Sequence, residues 1–260
     1  MKFIHLTDTH LVEPGARLYG LDPRARLDAA ITSINAEHGD AVCCMVTGDL
    51  AHWGAPAAYR ALRESLANLA MPVHLLIGNH DNRAAFRAVV PETPVDPGGF
   101  VQFAFDTPQG RFVCLDTNEP GVSWGVFCAR RAAWLDAQLQ ATAGPVFLFM
   151  HHPPFPVGIP SMDRISLRDC VPFSEALLPC RARIRHLFFG HLHRPVAGSW
   201  SGIPVSTVRG TSHQVALRMK EHDKVPGSHE PPGYAVVLAD DTRVVVHMHD
   251  YADATGRFDL

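Results

Sequence analysis

Short, predominantly apolar runs separated by helical segments are the feature that most restricts how this chain can fold. Residues 3–6, 41–46 and 73–77 lack the polar alternation of a half-exposed strand, so they predict strands that are buried on both faces. Pro23 opens one helical segment between these runs, and Pro56 opens a second. The resulting βαβαβ order predicts a parallel sheet covered by helices.

The middle and the end of the chain carry a different pattern. Residues 100–105 and 111–116 flank Thr107-Pro108-Gln109-Gly110, which is typical of a hairpin turn. The simplest assembly is an α/β fold, a four-layer α/β/β/α sandwich of two facing mixed sheets flanked by helices. The remaining predicted elements are a helix at 132–139, buried strands at 146–150 and 186–189, and an antiparallel meander of 203–208, 234–238 and 244–249.

No internal repeat, low-complexity segment or change of composition divides the sequence, which predicts a single domain over residues 1–260. Two stretches, 153–180 and 211–232, are rich in Pro, His, Met and charged residues and are too long for ordinary connections. We interpret them as loop insertions that cover a site or form a contact between copies of the chain.

Charge and hydropathy exclude several functional classes. Lys and Arg number 23 against 26 Asp and Glu, so the net charge is -3, which disfavours a nucleic-acid polymer as partner. The apolar runs are far shorter than the roughly 20 residues of a membrane span, so no membrane contact is predicted. Strand-like residues follow Met1 directly and leave no room for a signal peptide, which predicts a cytoplasmic location.

The 16 histidines are not scattered, because many lie beside Asp, Asn or Gly where a predicted strand ends. Ligand sites in open α/β sheets form beyond the carboxyl ends of strands, so these side chains are expected to meet there. Oxygen and nitrogen donors without a thiolate suit Fe, Mn, Zn or Co. The five clusters are Asp8-Thr9-His10, Gly48-Asp49, Gly78-Asn79-His80-Asp81, His151-His152 and Gly190-His191-Leu192-His193.

Each cluster by itself has an ordinary explanation. A Gly-Asp pair after a strand is commonly a turn, and a buried histidine commonly makes a structural hydrogen bond. Those explanations predict scattered positions, whereas here five clusters follow five strands in order. Seven donors exceed what one ion needs, but two ions that share a carboxylate use about this number. We therefore predict two divalent or trivalent transition-metal ions per chain.

The ordered set of clusters resembles the calcineurin-like metallophosphoesterase superfamily over residues 8–193. Three further motifs are similar to bacterial class III cyclic nucleotide phosphodiesterases and their glycerophosphodiesterase relatives. The resemblance implies a dinuclear-metal hydrolase that cleaves small phosphodiesters, either 3',5'-cyclic nucleotides or glycerophosphodiesters, with a hydroxide that bridges the ions. The three motifs are Leu18-Tyr19-Gly20, Met150-His151-His152-Pro153-Pro154 and Gly210-Thr211-Ser212-His213-Gln214.

The resemblance also implies which residues act. Catalysis is assigned to Asp49 and His80, and His80 would stabilise the phosphoryl charge or protonate the leaving oxygen. Asp81 is expected either to orient His80 or to cap the helix 82–89, and His152 is expected to support the ligands. The metal ligands implied are Asp8, His10 and His193 for one ion, Asn79, His151 and His191 for the other, and Asp49 between them. The substrate-binding residues implied are Asn79, His80 and His213, with His52 as a weaker candidate in the same pocket.

One departure from the superfamily bears on the substrate. Its protein Ser/Thr phosphatases carry an arginine soon after the bridging aspartate, whereas Asp49-Leu50-Ala51-His52-Trp53-Gly54 contains none. Bidentate arginine is the usual clamp for a phosphate dianion, so a singly charged phosphodiester fits better. A promiscuous phosphodiesterase that also cleaves monoesters, a nuclease and a non-catalytic interaction module remain alternatives. The last of these would need missing donors, and none is missing.

Overall fold

Two mixed β-sheets lie face to face in the computed structural model, which describes residues 1–253 and 258. The helices in chain order are α1 (Pro23–His38), α2 (Pro56–Leu66), α3 (Arg83–Val89), α4 (Ala129–Gln140), α5 (Pro160–Asp163) and α6 (Val171–Leu177), followed by a 3-10 helix at Leu178–Arg183. The strands are β1 (Lys2–Leu6), β2 (Cys44–Thr47), β3 (Val73–Leu76), β4 (Phe103–Thr107), β5 (Gly110–Cys114), β6 (Gly125–Val126), β7 (Val146–Phe149), β8 (Leu167–Arg168), β9 (Ile184–Phe188), β10 (Val196–Trp200), β11 (Ile203–Thr207), β12 (Gln214–Val215), β13 (Gly227–Ser228), β14 (Tyr234–Ala239) and β15 (Val244–His249).

Both sheets combine a run of parallel strands with antiparallel strands, which lie at one edge of the first sheet and at both edges of the second. The first has the order β15-β14-β1-β2-β3, in which β1, β2 and β3 are parallel. The second has the order β10-β11-β9-β7-β5-β4, in which β11, β9, β7 and β5 are parallel. In each sheet the loops that follow the parallel strands therefore emerge at one edge, where a shared site can form.

The inner faces of the sheets meet in a core of aromatic side chains. Phe3 of β1 lies across from the second sheet, with its ring centroid 5.1 Å from Phe112 and 5.5 Å from Phe188. The rings of Phe149 and Phe188 stack on neighbouring strands at 5.1 Å. All four rings are buried, and edge-to-face and offset contacts of this kind hold the two sheets together.

Helices cover the outer faces and complete four layers. Helix α1 begins at Pro23, with the side chain of Asp22 accepting a hydrogen bond from the Ala25 amide as its N-cap. Helices α1, α2 and α3 pack their apolar sides on the first sheet, and α4 and α6 pack on the second. The predicted four-layer sandwich is therefore confirmed.

The predicted C-terminal meander is wrong. Strands β14 and β15 form an antiparallel hairpin in the first sheet, but β11 lies in the second sheet beside β9 and β10. Strand β10 was not predicted, because it is an edge strand whose residues are mostly exposed and lack a buried apolar run. Without β10, the pairing partner of β11 could not be identified from the pattern.

The two long segments contain regular structure and are not irregular throughout. Residues 153–180 form α5, β8 and α6, and β8 pairs with β6. Within 211–232, β12 and β13 form a short antiparallel ladder. Among residues 1–253 and 258, no helix combines the length and the apolar character needed to cross a membrane.

Candidate metal centre

All five polar clusters follow strands of the parallel centres, and the two facing sheets bring them together. Asp8, Asp49 and Asn79 come after β1, β2 and β3 of the first sheet, whereas His151 and His191 come after β7 and β9 of the second. The site is therefore assembled from both sheets along one edge of the sandwich.

Backbone conformation in these loops is unusual. Asp8, His10, Asp49, His191 and His193 have φ values of 53°, 45°, 50°, 69° and 48°, in the left-handed region that non-glycine residues seldom adopt. Backbone strain of this kind clusters at functional sites. His191 and His193 lie beyond β9, in a loop, so the alternation of side chains along a strand does not set their directions.

Close approach of these loops requires glycine at Gly48, Gly78 and Gly190. A Cβ atom at Gly78 would lie 2.3 Å from Oδ1 of Asp49, and one at Gly190 would lie 2.1 Å from the hydroxyl of Thr7. No larger residue fits these positions without moving the loops.

The first group of donors consists of Asp8, His10, His193 and one oxygen of Asp49. Nε2 of His10 lies 3.0 Å from Nε2 of His193 and 3.5 Å from Oδ2 of Asp49. Nε2 of His193 lies 3.3 Å from Oδ1 of Asp8. Ligand atoms about 2.1 Å from one ion lie roughly 3.0–3.4 Å from each other, so these spacings suit a shared ion.

The second group consists of Asn79, His151, His191 and the other oxygen of Asp49. Nε2 of His151 lies 3.2 Å from Oδ1 of Asn79, 3.3 Å from Nδ1 of His191 and 3.4 Å from Oδ1 of Asp49. The two carboxylate oxygens of Asp49 thus face different groups. That position suits a ligand shared by two ions.

The two buried carboxylates of the site also require cations nearby. Asp8 and Asp49 are buried, and among the residues that the structure describes neither carboxylate pairs with a lysine or arginine. Buried carboxylates need a paired cation or a metal. The donors present, carboxylate, amide and imidazole, fit transition-metal ions.

Hydrogen bonds determine which nitrogen of the His151 and His193 rings can bind an ion. Nδ1 of His151 donates to the Thr47 carbonyl at 2.8 Å, and Nδ1 of His193 donates to the His213 carbonyl at 2.7 Å. In each ring Nε2 is therefore the nitrogen left to bind an ion, and it faces the other donors. Such contacts orient ligating histidines in metal sites.

Burial and the short distances between carboxylates and imidazoles shift the pKa values of the donors. Burial by itself would raise the pKa of Asp8, but His193 beside it holds that pKa below its ordinary value. The pKa of Asp49 is likewise held well below its ordinary value by His151 and His80, against the effect of burial. Burial lowers the pKa of His10 well below its usual range. The carboxylates are thus ionised and His10 is neutral. Against the effect of burial, Asp49 raises the pKa of His151 to about 9 and Asp8 raises the pKa of His193, so His151 must lose a proton to bind an ion.

His80 lies next to the donors, but Asp81 does not orient it. Nδ1 of His80 donates to the His52 carbonyl at 2.8 Å, and the His80 amide donates to Asp49 at 2.9 Å. The Asp81 carboxylate accepts hydrogen bonds from the amides of Leu50, Ala51 and Gly78 and from the Tyr59 hydroxyl. It therefore ties the loop after β2 to the loop after β3.

The second expected role of Asp81 is also wrong. The N-cap of α3 is Asn82, whose side chain accepts from the Ala85 amide. Burial and the nearby charge of Asp49 raise the pKa of Asp81 to about 6, although three backbone amides oppose the shift. Asp81 is a link between two loops.

His152 is buried behind the second group. Its Nδ1 lies 2.8 Å from the Thr117 hydroxyl, and its ring centroid is 4.6 Å from that of His191. It thus packs against two of the donors' rings, since the His151 centroid is also only 4.8 Å away. This position agrees with the supporting role expected for it.

Sequence analysis overlooked a sixth polar cluster, Asp116-Thr117-Asn118, which follows β5. Asn118 donates to the carbonyls of Gly78 and Asp81 and so holds the loop that carries Asn79 and His80. Its position after a parallel strand was the signal that could have identified it.

A cavity of about 640 Å³ opens above the donors. His52 and His213, both expected in the pocket, line it, and no lysine or arginine is among its described lining residues. Sequence analysis did not identify most of the apolar wall, because its members come from the two long segments. The wall residues are Met162, Ile165, Val215 and Val225, with Tyr19 opposite His52 and His213.

Known proteins are similar to this chain in sequence and in structure. The chain is 47% identical over 252 residues to a Rhodopseudomonas palustris protein named "Probable cyclic nucleotide phosphodiesterase", across 95% of this chain and 91% of that protein. It is 33% identical over 226 residues to the glycerophosphodiester phosphodiesterase GpdQ of Enterobacter lignolyticus, across 83% and 79% of the two chains.

Similarity in structure extends further than similarity in sequence. The purple acid phosphatase from yellow lupin (Lupinus luteus) seeds superposes with a TM-score of 0.69, over 98% of this chain and 52% of its own, at 14% identity. At that identity the likeness concerns the fold alone. The sequence model of the calcineurin-like phosphoesterases matches residues 1–195, most of the chain and every polar cluster that meets at the sheet edge. The resemblance seen in the sequence is confirmed, and the chain belongs to the calcineurin-like phosphoesterase family.

Proposed function

We propose that this chain is a metal-dependent phosphodiesterase that hydrolyses small phosphodiesters, either 3',5'-cyclic nucleotides or glycerophosphodiesters. The observation that carries the proposal is the Asp49 carboxylate, which lies between two groups of donors at the base of an open cavity. The names of the two relatives, a cyclic nucleotide phosphodiesterase and a glycerophosphodiester phosphodiesterase, support the same reaction.

Each donor group would hold one ion. Asp8, His10 and His193 would bind the first ion, Asn79, His151 and His191 would bind the second, and Asp49 would contact both. When bound, two such ions supply Lewis acidity to the phosphoryl oxygens and an activated water as nucleophile. Fe, Mn, Zn and Co all suit these donors, and availability would decide among them.

His80 is the candidate acid–base group. Because its Nδ1 proton is held by the His52 carbonyl, Nε2 is the ring atom left to meet the substrate. His80 lines the cavity beside Asp49, so a protonated ring could stabilise charge on the phosphoryl group or pass its proton to the leaving oxygen. His213 and Asn79 line the same cavity and would contact the substrate.

The cavity favours a diester over a monoester. Its described lining offers imidazoles and apolar side chains but no guanidinium or ammonium group to pair with a phosphate dianion. A diester carries one negative charge and two organic substituents, of which the second can rest on the apolar wall. The cytoplasmic location and a contact between copies of the chain stay predictions from the sequence.

Steady-state kinetics on the full chain with defined Mn²⁺, Zn²⁺ or Co²⁺ test this proposal. Bis(p-nitrophenyl) phosphate should give a higher kcat/KM than p-nitrophenyl phosphate, because no cationic clamp stabilises the dianion. Cyclic AMP and glycerophosphocholine, assayed under the same conditions, separate the two substrate classes. Faster hydrolysis of the monoester would overturn the proposal and indicate a phosphomonoesterase.

A further inference from the structure

His52 contacts two different residues of the candidate centre. Its Nδ1 atom lies 3.0 Å from Nδ1 of His10, on the side of the His10 ring that faces away from the other donors. Its carbonyl accepts the hydrogen bond from His80. The rings of His52 and His80 also stack, with centroids 4.5 Å apart and planes 23° apart. One buried residue therefore touches both a proposed ligand and the proposed acid–base group.

The position of the His10 proton follows from the opposite side of the ring. Nε2 of His10 faces Oδ2 of Asp49 and Nε2 of His193, the atoms with which it would share an ion. His10 can bind an ion through Nε2 only if its own ring proton is on Nδ1. The nearest acceptor for that proton is Nδ1 of His52.

We propose that the His52 imidazole is a positioning residue for the metal centre, which accepts the Nδ1 proton of His10 and so keeps the His10 Nε2 lone pair directed at the ion. This inference rests on the proposed metal-dependent function. The acceptor of a ligating histidine is commonly a carboxylate, a backbone carbonyl or water. For His151 and His193 it is a backbone carbonyl, whereas for His10 it is a side chain that mutation can remove.

Two substitutions of His52 distinguish its role as a hydrogen-bond acceptor from the role of its ring shape. His52→Phe keeps an aromatic ring to stack on His80 and keeps the backbone carbonyl, but removes the acceptor. His52→Asn restores an acceptor, because Oδ1 of asparagine takes the place of Nδ1. Trp53→Phe is the matched control, since Trp53 is 63% exposed and contacts the His52 ring with a centroid separation of 4.9 Å.

The measurement is calorimetric titration of the metal-free full chain with Mn²⁺. His52→Phe should weaken one of the two binding events by about 10–100-fold, the usual cost of losing such a contact, and leave the other within about threefold. His52→Asn and Trp53→Phe should stay within about threefold of wild type at both sites.

Several outcomes overturn the inference. Wild-type Mn²⁺ affinity in His52→Phe would mean that His10 needs no side-chain acceptor, and equal weakening in His52→Asn would mean that ring shape matters instead. Near-ultraviolet circular dichroism shows whether His52→Phe folds. If it does not, His52→Asp is measured instead: a carboxylate is a stronger acceptor for the His10 proton, so this variant should bind Mn²⁺ at least as tightly as His52→Asn. Weaker binding by His52→Asp would overturn the inference. A failure of the proposed function would look different from a failure of this inference. In that case the wild-type protein would bind two Mn²⁺ ions but would not hydrolyse a diester.

Discussion

The floor and the wall of the cavity are built in opposite ways. The floor, formed by the donor loops after β1, β2, β3, β7 and β9, is almost wholly buried, and five of its residues have left-handed backbone. The wall residues come from the segments 153–180 and 211–232 and from Tyr19, and among them Val225 and Tyr19 are exposed. An exposed ion pair between Arg164 and Glu221 joins its two segments at 2.7 Å.

This difference separates chemistry from substrate choice. The floor holds its donors through backbone strain and buried hydrogen bonds, which fix geometry at the cost of tolerance to change. The wall combines Met162 and Val215, which are buried in the second core, with Ile165 and Val225, which are partly or largely exposed. The ion pair that joins its segments is exposed and of the kind that contributes little, so the exposed wall side chains can change without disturbing the donors. We expect substitutions in the floor to abolish metal binding or catalysis and substitutions in the wall to alter the substrate preference.

The largest effect is expected at the centre of the floor. Asp49→Ala removes the carboxylate shared by both donor groups, so it should lose both ions and essentially all activity. Asn79→Ala removes a donor of one group alone and should weaken one site selectively. Metal content by elemental analysis and turnover measured on the same samples check both expectations. Two ions per chain and near-native turnover in Asp49→Ala would contradict the shared-ligand assignment.

The next largest effect is expected at His80, where a substitution should change catalysis without changing metal binding. His80→Ala should keep its metal content but lower kcat by about 10²–10⁴-fold, the usual range for a positioned acid–base group. Comparing substrates with good and poor leaving groups distinguishes its two roles. An equal loss on both would indicate stabilisation of phosphoryl charge rather than proton transfer to the leaving oxygen. An unchanged kcat would remove His80 from the mechanism.

Removal of the ions tests whether the floor depends on them for stability. Chelation should lower the melting temperature by roughly 5–10 °C per ion, since an ion at 100 times its Kd stabilises a protein by about 2.7 kcal/mol. The reason is that Asp8 and Asp49 would be left buried and without a cation. Asp49→Ala is the control and should melt at the same temperature with or without chelator. A wild-type melting temperature that does not change after metal loss would refute this dependence.

The smallest effect is expected in the wall. Ile165→Ala removes apolar surface from the cavity lining and should raise KM for a bulky diester by about three- to tenfold, consistent with a loss of about 1 kcal/mol of apolar contact. Its kcat and metal content should stay near wild type. Leu217→Ala is the matched control, because Leu217 is exposed on the second segment and does not line the cavity. Loss of metal in Ile165→Ala would show that wall and floor are not separate.

Prediction from the sequence succeeded where burial and chain order decide the structure. Apolar runs such as 146–150 have one stable arrangement, a buried parallel strand, and the polar cluster after each run must then emerge at the same edge. Prediction failed for Asp81, because its partners are the amides of a loop about 30 residues earlier. It also failed for β10, because an exposed edge strand has no apolar run to reveal it.

The two-sheet fold, the order of the polar clusters and the residue types of the candidate centre could be predicted from the chain alone, because they follow from local patterns of burial. Three-dimensional contacts were needed to show which ring nitrogen of His80, His151 and His193 faces the cavity or the other donors, that the two Asp49 oxygens face different donor groups, and that His52 contacts both His10 and His80. The physical reason is that these features depend on left-handed loop conformations and on contacts between distant segments. His10 and His193, for example, are 183 residues apart in the chain, yet their Nε2 atoms lie 3.0 Å from each other.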